Sequence, residues 1–184
     1  KSKIANKEPI IVQRGLARDP NQDQYFKGAL FLHTLRSVVE DLSRRGGEAA
    51  QAEDQKWFKL IRDLYEHFKY KNIMTEELVA FVNKQLGQDL TPVFDQYLRR
   101  AALPVLELTF NEGEKLVWYR WRADERNFTM PIRVGDPARW QTVQPTSEWK
   151  PMAGPGAKDA FMVATDLYYV NVAILDSRGH SGSN

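Results

Sequence analysis

The spacing of apolar residues changes once along the chain, at Ala101-Ala102-Leu103-Pro104, and that change constrains the fold more than any other feature. Before it, apolar positions recur three and four residues apart, as in helices buried along one face. After it they alternate with polar residues, as in half-buried strands. Pro104 sits at the change, where its ring forbids a helix from continuing. A helical part followed by a β part, without βαβ alternation, predicts the α+β class: a short layer of about four helices followed by a small antiparallel β-sandwich.

Phe26, Ala29, Leu30, Leu32, Leu35, Val39 and Leu42 predict a first helix over 22–42, capped by Asn21 or Asp23. Trp57, Phe58, Leu60, Ile61, Leu64, Tyr65 and Phe68 predict a second over about 55–70, with a stripe wide enough to be enclosed on more than one side. Thr75 opens a third, with Glu76 and Glu77 at the positive end of its dipole and Gly87 as a left-handed C-cap. Thr91 caps a fourth, with Pro92 at its first helical position, and this helix carries Phe94, Tyr97 and Leu98 inward.

Beyond Pro104, strands over 105–110 and 116–122 flank the turn Asn111-Glu112-Gly113-Glu114, and shorter β-type runs follow at 130–134, 140–143, 161–164 and 168–175. The chain therefore divides into a helical part, 1–102, a sandwich, 103–176, and a Gly/Ser tail, 177–184, expected to be disordered.

Forty-two per cent apolar residues, with five Trp, seven Tyr and nine Phe, supply a real core and exclude a mostly disordered chain. The absence of cysteine excludes disulfides, thiolate metal sites and a thiol nucleophile. A net charge of +2 with mixed signs argues against a nucleic-acid footprint, and Arg44-Arg45 and Arg99-Arg100 read as solvated surface. No apolar run approaches the about 18 residues that cross a bilayer, and the stretch from Lys1 to Glu8 lacks the hydrophobic segment of a signal peptide, so a soluble chain with no membrane partner is expected.

His33, His67 and His180 lie too far apart in sequence to suggest a metal site, and His33 reads as a hydrogen-bonded structural residue. The motifs of serine hydrolases, P-loop proteins and dinucleotide-binding folds are absent. Glu40-Asp41 and Glu76-Glu77 are adjacent in sequence, so each pair diverges around a helix; both are assigned to caps and solvent.

One string stands out, Asp23-Gln24-Tyr25-Phe26-Lys27-Gly28-Ala29-Leu30-Phe31-Leu32-His33-Thr34-Leu35-Arg36. Read by itself, a tyrosine at a helix start is packing. Gly28 inside the helix costs up to about 1 kcal/mol relative to Ala, which points to a close approach to the backbone there. The string nonetheless resembles the Y-x-K-G-A…L-h-x-L-R signature of the aminopeptidase N-type zinc metallopeptidases, the gluzincins. The stretch from Gln55 to Tyr70, the stretch from Gly87 to Leu98, and Leu103-Pro104-Val105-Leu106-Glu107-Leu108 are similar to that family's later catalytic-domain helices and its linker into a β-sandwich domain.

The resemblance implies that Tyr25 is a catalytic residue, its phenol donating a hydrogen bond to the oxyanion of the tetrahedral intermediate in peptide hydrolysis; Lys27, Gly28 and Arg36 are carried as structural. It also implies that the zinc ligands and general base, supplied in the family by an H-E-x-x-H helix and a following Glu, would precede Lys1. The expected protein is thus a C-terminal fragment of a zinc-dependent aminopeptidase that removes N-terminal residues from peptides. It holds no zinc and no activity alone, and its partners would be the missing N-terminal half of the catalytic domain and, through it, peptide N-termini. An apolar face left by that half makes self-association an expectation too.

The polar stretch 42–54 reads as a loop inserted where the family has a tight turn, with a natural surface loop as the alternative. The competing functional reading is a non-catalytic binding module in which Trp118, Trp121, Trp140 and Trp149 form an aromatic recognition face.

Overall fold

The computed structural model describes residues 4–11, 23–45, 50–111, 113, 115–154 and 158–175. Four helices come first: α1 (Asp23–Arg45), α2 (Ala50–Phe68), α3 (Thr75–Leu86) and α4 (Thr91–Arg99). Seven strands follow: β1 (Val105–Asn111), β2 (Leu116–Arg122), β3 (Ile132–Asp136), β4 (Arg139–Val143), β5 (Lys150–Ala153), β6 (Met162–Val163) and β7 (Asn171–Ile174). The fold is α+β, and the change from helix to strand falls between Arg99 and Val105, around the proline that marks it in the sequence.

The helix ends follow local chemistry. Glu77 Oε2 accepts the Met74 N–H at 2.7 Å, so the third helix is closed from its own first turn, and Gly87 ends it at φ 63°. Asn83 ties the next turn together, donating to Asp89 Oδ1 and Thr91 Oγ1 and accepting the Leu90 N–H, so Thr91 lies inside α4 with its hydroxyl bonded to Asn83, and Leu90 rather than Thr91 holds the cap position. Asp23, buried at the start of α1, accepts the N–H groups of Ala5 and Asn6 through Oδ2 and so pins the segment 4–11 beside the helix start. The stretch 42–54, read from sequence as a loop, is helical at both ends: α1 continues to Arg45 and α2 begins at Ala50.

The strands form a four-stranded sheet in the order β5-β2-β1-β7 and a three-stranded sheet in the order β4-β3-β6. Every pairing is antiparallel except β1 with β7, which run parallel with Val105 opposite Asn171. Leu106, Leu108, Val117 and Trp121 from the first sheet share one core cluster with Met130, Ile132, Val134 and Phe161. Each such aliphatic side chain contributes about 1.5–3 kcal/mol on leaving water, against about 0–1 kcal/mol for an exposed ion pair, so apolar burial holds the strands together.

One strand expectation is corrected, and one strand is added to those expected. Residues 168–170 are buried but form no strand, because their polar groups bond to helices: the Tyr169 N–H donates to Thr34 Oγ1 at 2.9 Å and its carbonyl accepts the Tyr97 hydroxyl at 2.8 Å. β5 was not anticipated because Pro151 lies within it; as an edge strand it needs no donor on its outer side.

The second correction concerns Glu40-Asp41, assigned above to caps and solvent. Asp41 is fully buried, and its carboxylate accepts Arg133 Nε at 2.7 Å, Thr142 Oγ1 at 3.3 Å and the Tyr168 hydroxyl. Glu40 Oε2 accepts Arg133 Nη2 at 3.2 Å. Both acids of α1 thus converge on one arginine of β3.

Removing one partner from such a cluster leaves a buried charge uncompensated. Asp41→Ala should lower unfolding stability by about 3–5 kcal/mol, and adding Arg133→Met should recover much of that loss. Urea unfolding of both variants measures it; a double variant as unstable as the sum of the two single ones would show that charge compensation is not what the cluster supplies.

Candidate functional site

The candidate site is the first three turns of α1, where the motif residues divide between two sides of the helix. Successive residues turn by about 100°, so Tyr25 and Lys27 project to nearly opposite sides. Lys27 is fully buried, and its Nζ donates to the carbonyls of Arg100 and Ala101 at 2.9 and 2.8 Å. It supplies donors to the chain leaving α4, which has no helical partner for those oxygens. Burial disfavours the ammonium and brings its pKa down to about 8, against a smaller upward pull from the carboxylate of Asp23.

The same inward side continues along the helix. His33 Nε2 lies 3.0 Å from the Asp166 carbonyl, which can only accept, so that nitrogen carries the ring proton. Thr34 accepts from Tyr169, and Ser37 Oγ donates to the Leu167 carbonyl at 3.1 Å. With Asp41 bonded to Tyr168, α1 grips four consecutive residues, Asp166 to Tyr169, through side chains on one face. Burial, followed by the charge of Asp41, pushes the Tyr168 phenol well above its usual range. His33 is thus a hydrogen-bonded structural residue, as expected, although it lies at the surface.

Tyr25 is different. It is 72% exposed, and its hydroxyl makes no hydrogen bond among the described residues. Gly28 also departs from expectation: among the described residues a Cβ built there meets nothing within 4 Å, so none of them makes the close approach its presence in a helix suggested. Arg36 donates from Nε to Glu40 at 3.2 Å and lies 5.8 Å over the Phe58 ring of α2.

Other candidates fall into place on local chemistry. The His67 ring stacks on Phe81 with centroids 4.8 Å apart, and His180 lies outside the described residues. Arg45, Arg99 and Arg100 bond to Gln144, to Asp95 with Glu76, and to Glu125. Of the sandwich tryptophans, Trp121 is buried with its Nε1 donating to the Met130 carbonyl. Trp118, Trp140 and Trp149 are half-buried, and the Arg120 guanidinium covers Trp149 at 4.5 Å. Glu107 accepts both Arg120 and Arg122; burial alone would raise its pKa, but the two guanidiniums together hold it below the usual range.

Sequence reasoning missed Arg133 and Tyr168 as partners of α1. The available signal was an arginine inside the apolar run Ile132-Arg133-Val134, since a charge at that point in a strand buried on both faces needs an acid opposite it.

No group of three His, Cys, Asp or Glu side chains among the described residues is placed to hold a metal ion, so these residues do not fit a zinc centre. No helix among them is long and apolar enough to cross a membrane.

No protein-family model and no curated protein matches the chain. Among solved structures it is similar to a Legionella pneumophila aminopeptidase A, solved in complex with aspartic acid, with a TM-score of 0.59 and 12% sequence identity over 83% of this chain. The fold is aminopeptidase-like. This chain spans only 18% of that enzyme's chain.

Lys27 provides a titration specific to this site. Folded, it releases its proton near pH 8; unfolded, near 10.5, so between these values the unfolded chain binds more protons and stability rises with pH. Above about pH 10 the buried Tyr97 and Tyr168, held protonated by burial while their unfolded counterparts ionise, oppose the trend. From pH 8 to 10 the native protein should therefore gain stability relative to Lys27→Met in urea unfolding. A constant difference across that range would place the ammonium in a water-like setting.

Proposed function

We propose that this chain supplies the later helices of the catalytic domain and the following β-sandwich of a zinc-dependent aminopeptidase that removes N-terminal residues from peptides. Under this reading the division at Ala101-Pro104 separates a helical catalytic portion from a sandwich domain. The observation that carries the reading is the partition of the motif on α1. Its Lys27 and its following His33 and Thr34 are engaged in holding the fold, whereas Tyr25 is exposed and its hydroxyl makes no hydrogen bond among the described residues. A side chain that the fold does not use, inside a motif the fold otherwise absorbs, is available for chemistry. The aminopeptidase-like fold supports the same reading.

A phenol suits the role proposed for Tyr25. It remains protonated at neutral pH, and its hydroxyl can donate to the negative oxygen that forms when water adds to a peptide carbonyl. Zinc would be held by residues outside those described here, with its water-activating chemistry, and the substrate's N-terminus would be bound by the same missing part. The chain alone is then inactive.

The purified chain should bind no stoichiometric zinc tightly and should not hydrolyse aminoacyl anilides. Combined with the polypeptide encoded immediately upstream of Lys1, it should gain zinc-dependent hydrolysis that falls about 100- to 1000-fold on Tyr25→Phe with little change in KM. Turnover unchanged by that substitution would reduce Tyr25 to a packing residue, and tight zinc in the chain alone would overturn the assignment.

A further inference from the structure

The second helix carries an apolar stripe wider than the described residues cover. Trp57 and Leu60 are buried against the rest of the helical layer, but Phe58 is 54% and Tyr65 60% exposed, with Ile61 exposed between them. Positions 58, 61, 62 and 65 fall on one side of a helix, so Arg62 shares that stripe. On α1, positions 25, 29 and 32 likewise form one exposed line, with Leu32 52% exposed, and Arg36 continues it to lie over the Phe58 ring. The two lines therefore meet side by side across the α1–α2 pair.

Gly28 belongs to the same region. A glycine inside a helix costs up to about 1 kcal/mol relative to alanine, and nothing in the described chain occupies the space its Cβ would fill. An exposed aromatic and aliphatic face bordered by an unfilled glycine is the form of a contact with one side present. Arg62 makes no ion pair among the described residues, which gives the face a positive edge.

We infer that this face, centred on Leu32, Phe58, Ile61 and Tyr65, is the docking surface for the remainder of the longer aminopeptidase-like protein, an apolar segment edged by carboxylate that approaches closest at Gly28. The occupant is argued from length: the matching fold occupies 83% of this chain but only 18% of the Legionella enzyme's chain. This inference rests on the function proposed above and adds to it which residues make the contact.

The probe is the polypeptide encoded immediately upstream of Lys1, produced separately and titrated onto the full chain by calorimetry, with sedimentation velocity of the chain alone. Leu32→Ser, Phe58→Ser and Arg62→Glu should each weaken the complex at least tenfold while leaving the chain's own Tm nearly unchanged, because these groups are already exposed. Gly28→Ala should raise the Tm of the chain alone and weaken the complex.

Wild-type affinity in all the face variants overturns the inference. So does a dimer of the chain alone that the same substitutions dissolve, since the occupant is then a second copy, or a reading frame with no polypeptide upstream. A complex that forms through this face but hydrolyses nothing counts against the aminopeptidase reading and leaves the docking surface standing; an active complex indifferent to the face variants does the reverse.

Discussion

A charge buried between two layers sets the arrangement of this molecule. Arg133 of β3 meets Asp41 at 2.7 Å and Glu40 at 3.2 Å, both on α1, while Thr142 and Tyr168 bond to the same Asp41 carboxylate. Two opposite charges out of water tolerate only a narrow range of geometries, because displacement leaves either one uncompensated. Once Asp41 is fixed, the register of α1 against the three-stranded sheet is fixed with it. Apolar burial holds each layer together without specifying how far one slides along the other.

The rest of α1 builds on that register. Lys27, Thr34 and Ser37 lie on the inward side and His33 at its exposed margin, and all four bond to backbone groups of the linker after α4 or of the segment from Asp166 to Tyr169. These backbone groups come from chain without regular structure, which would otherwise bury unpaired carbonyls and N–H groups. One helix therefore satisfies two irregular stretches, and in doing so directs Tyr25, Leu32 and Gly28 away from the body of the chain.

Much of the architecture was legible because local physics decides it. The spacing of Leu35, Val39 and Leu42, the left-handed Gly87, and the alternation of Val117, Tyr119 and Trp121 each specify an element through contacts within a few residues. Tyr168-Tyr169-Val170 was misread as a strand for the converse reason: its aromatic and β-branched composition suits a sheet, but its hydrogen-bond partners lie on α1 and α4, more than 70 residues earlier. Glu40-Asp41 was misread because adjacency on a helix predicts divergence, whereas a long arginine side chain reaches both acids from one side.

The sequence by itself determined the order of helices and strands, the division at Pro104 and the motif that singles out Tyr25, since each depends on residue types and short spacings. Only the tertiary structure decided which motif residues the fold consumes and which it leaves free. That distinction depends on what faces each side of α1, and those neighbours lie more than 70 residues further along the chain: Arg100, Ala101, Arg133 and the segment from Asp166 to Tyr169.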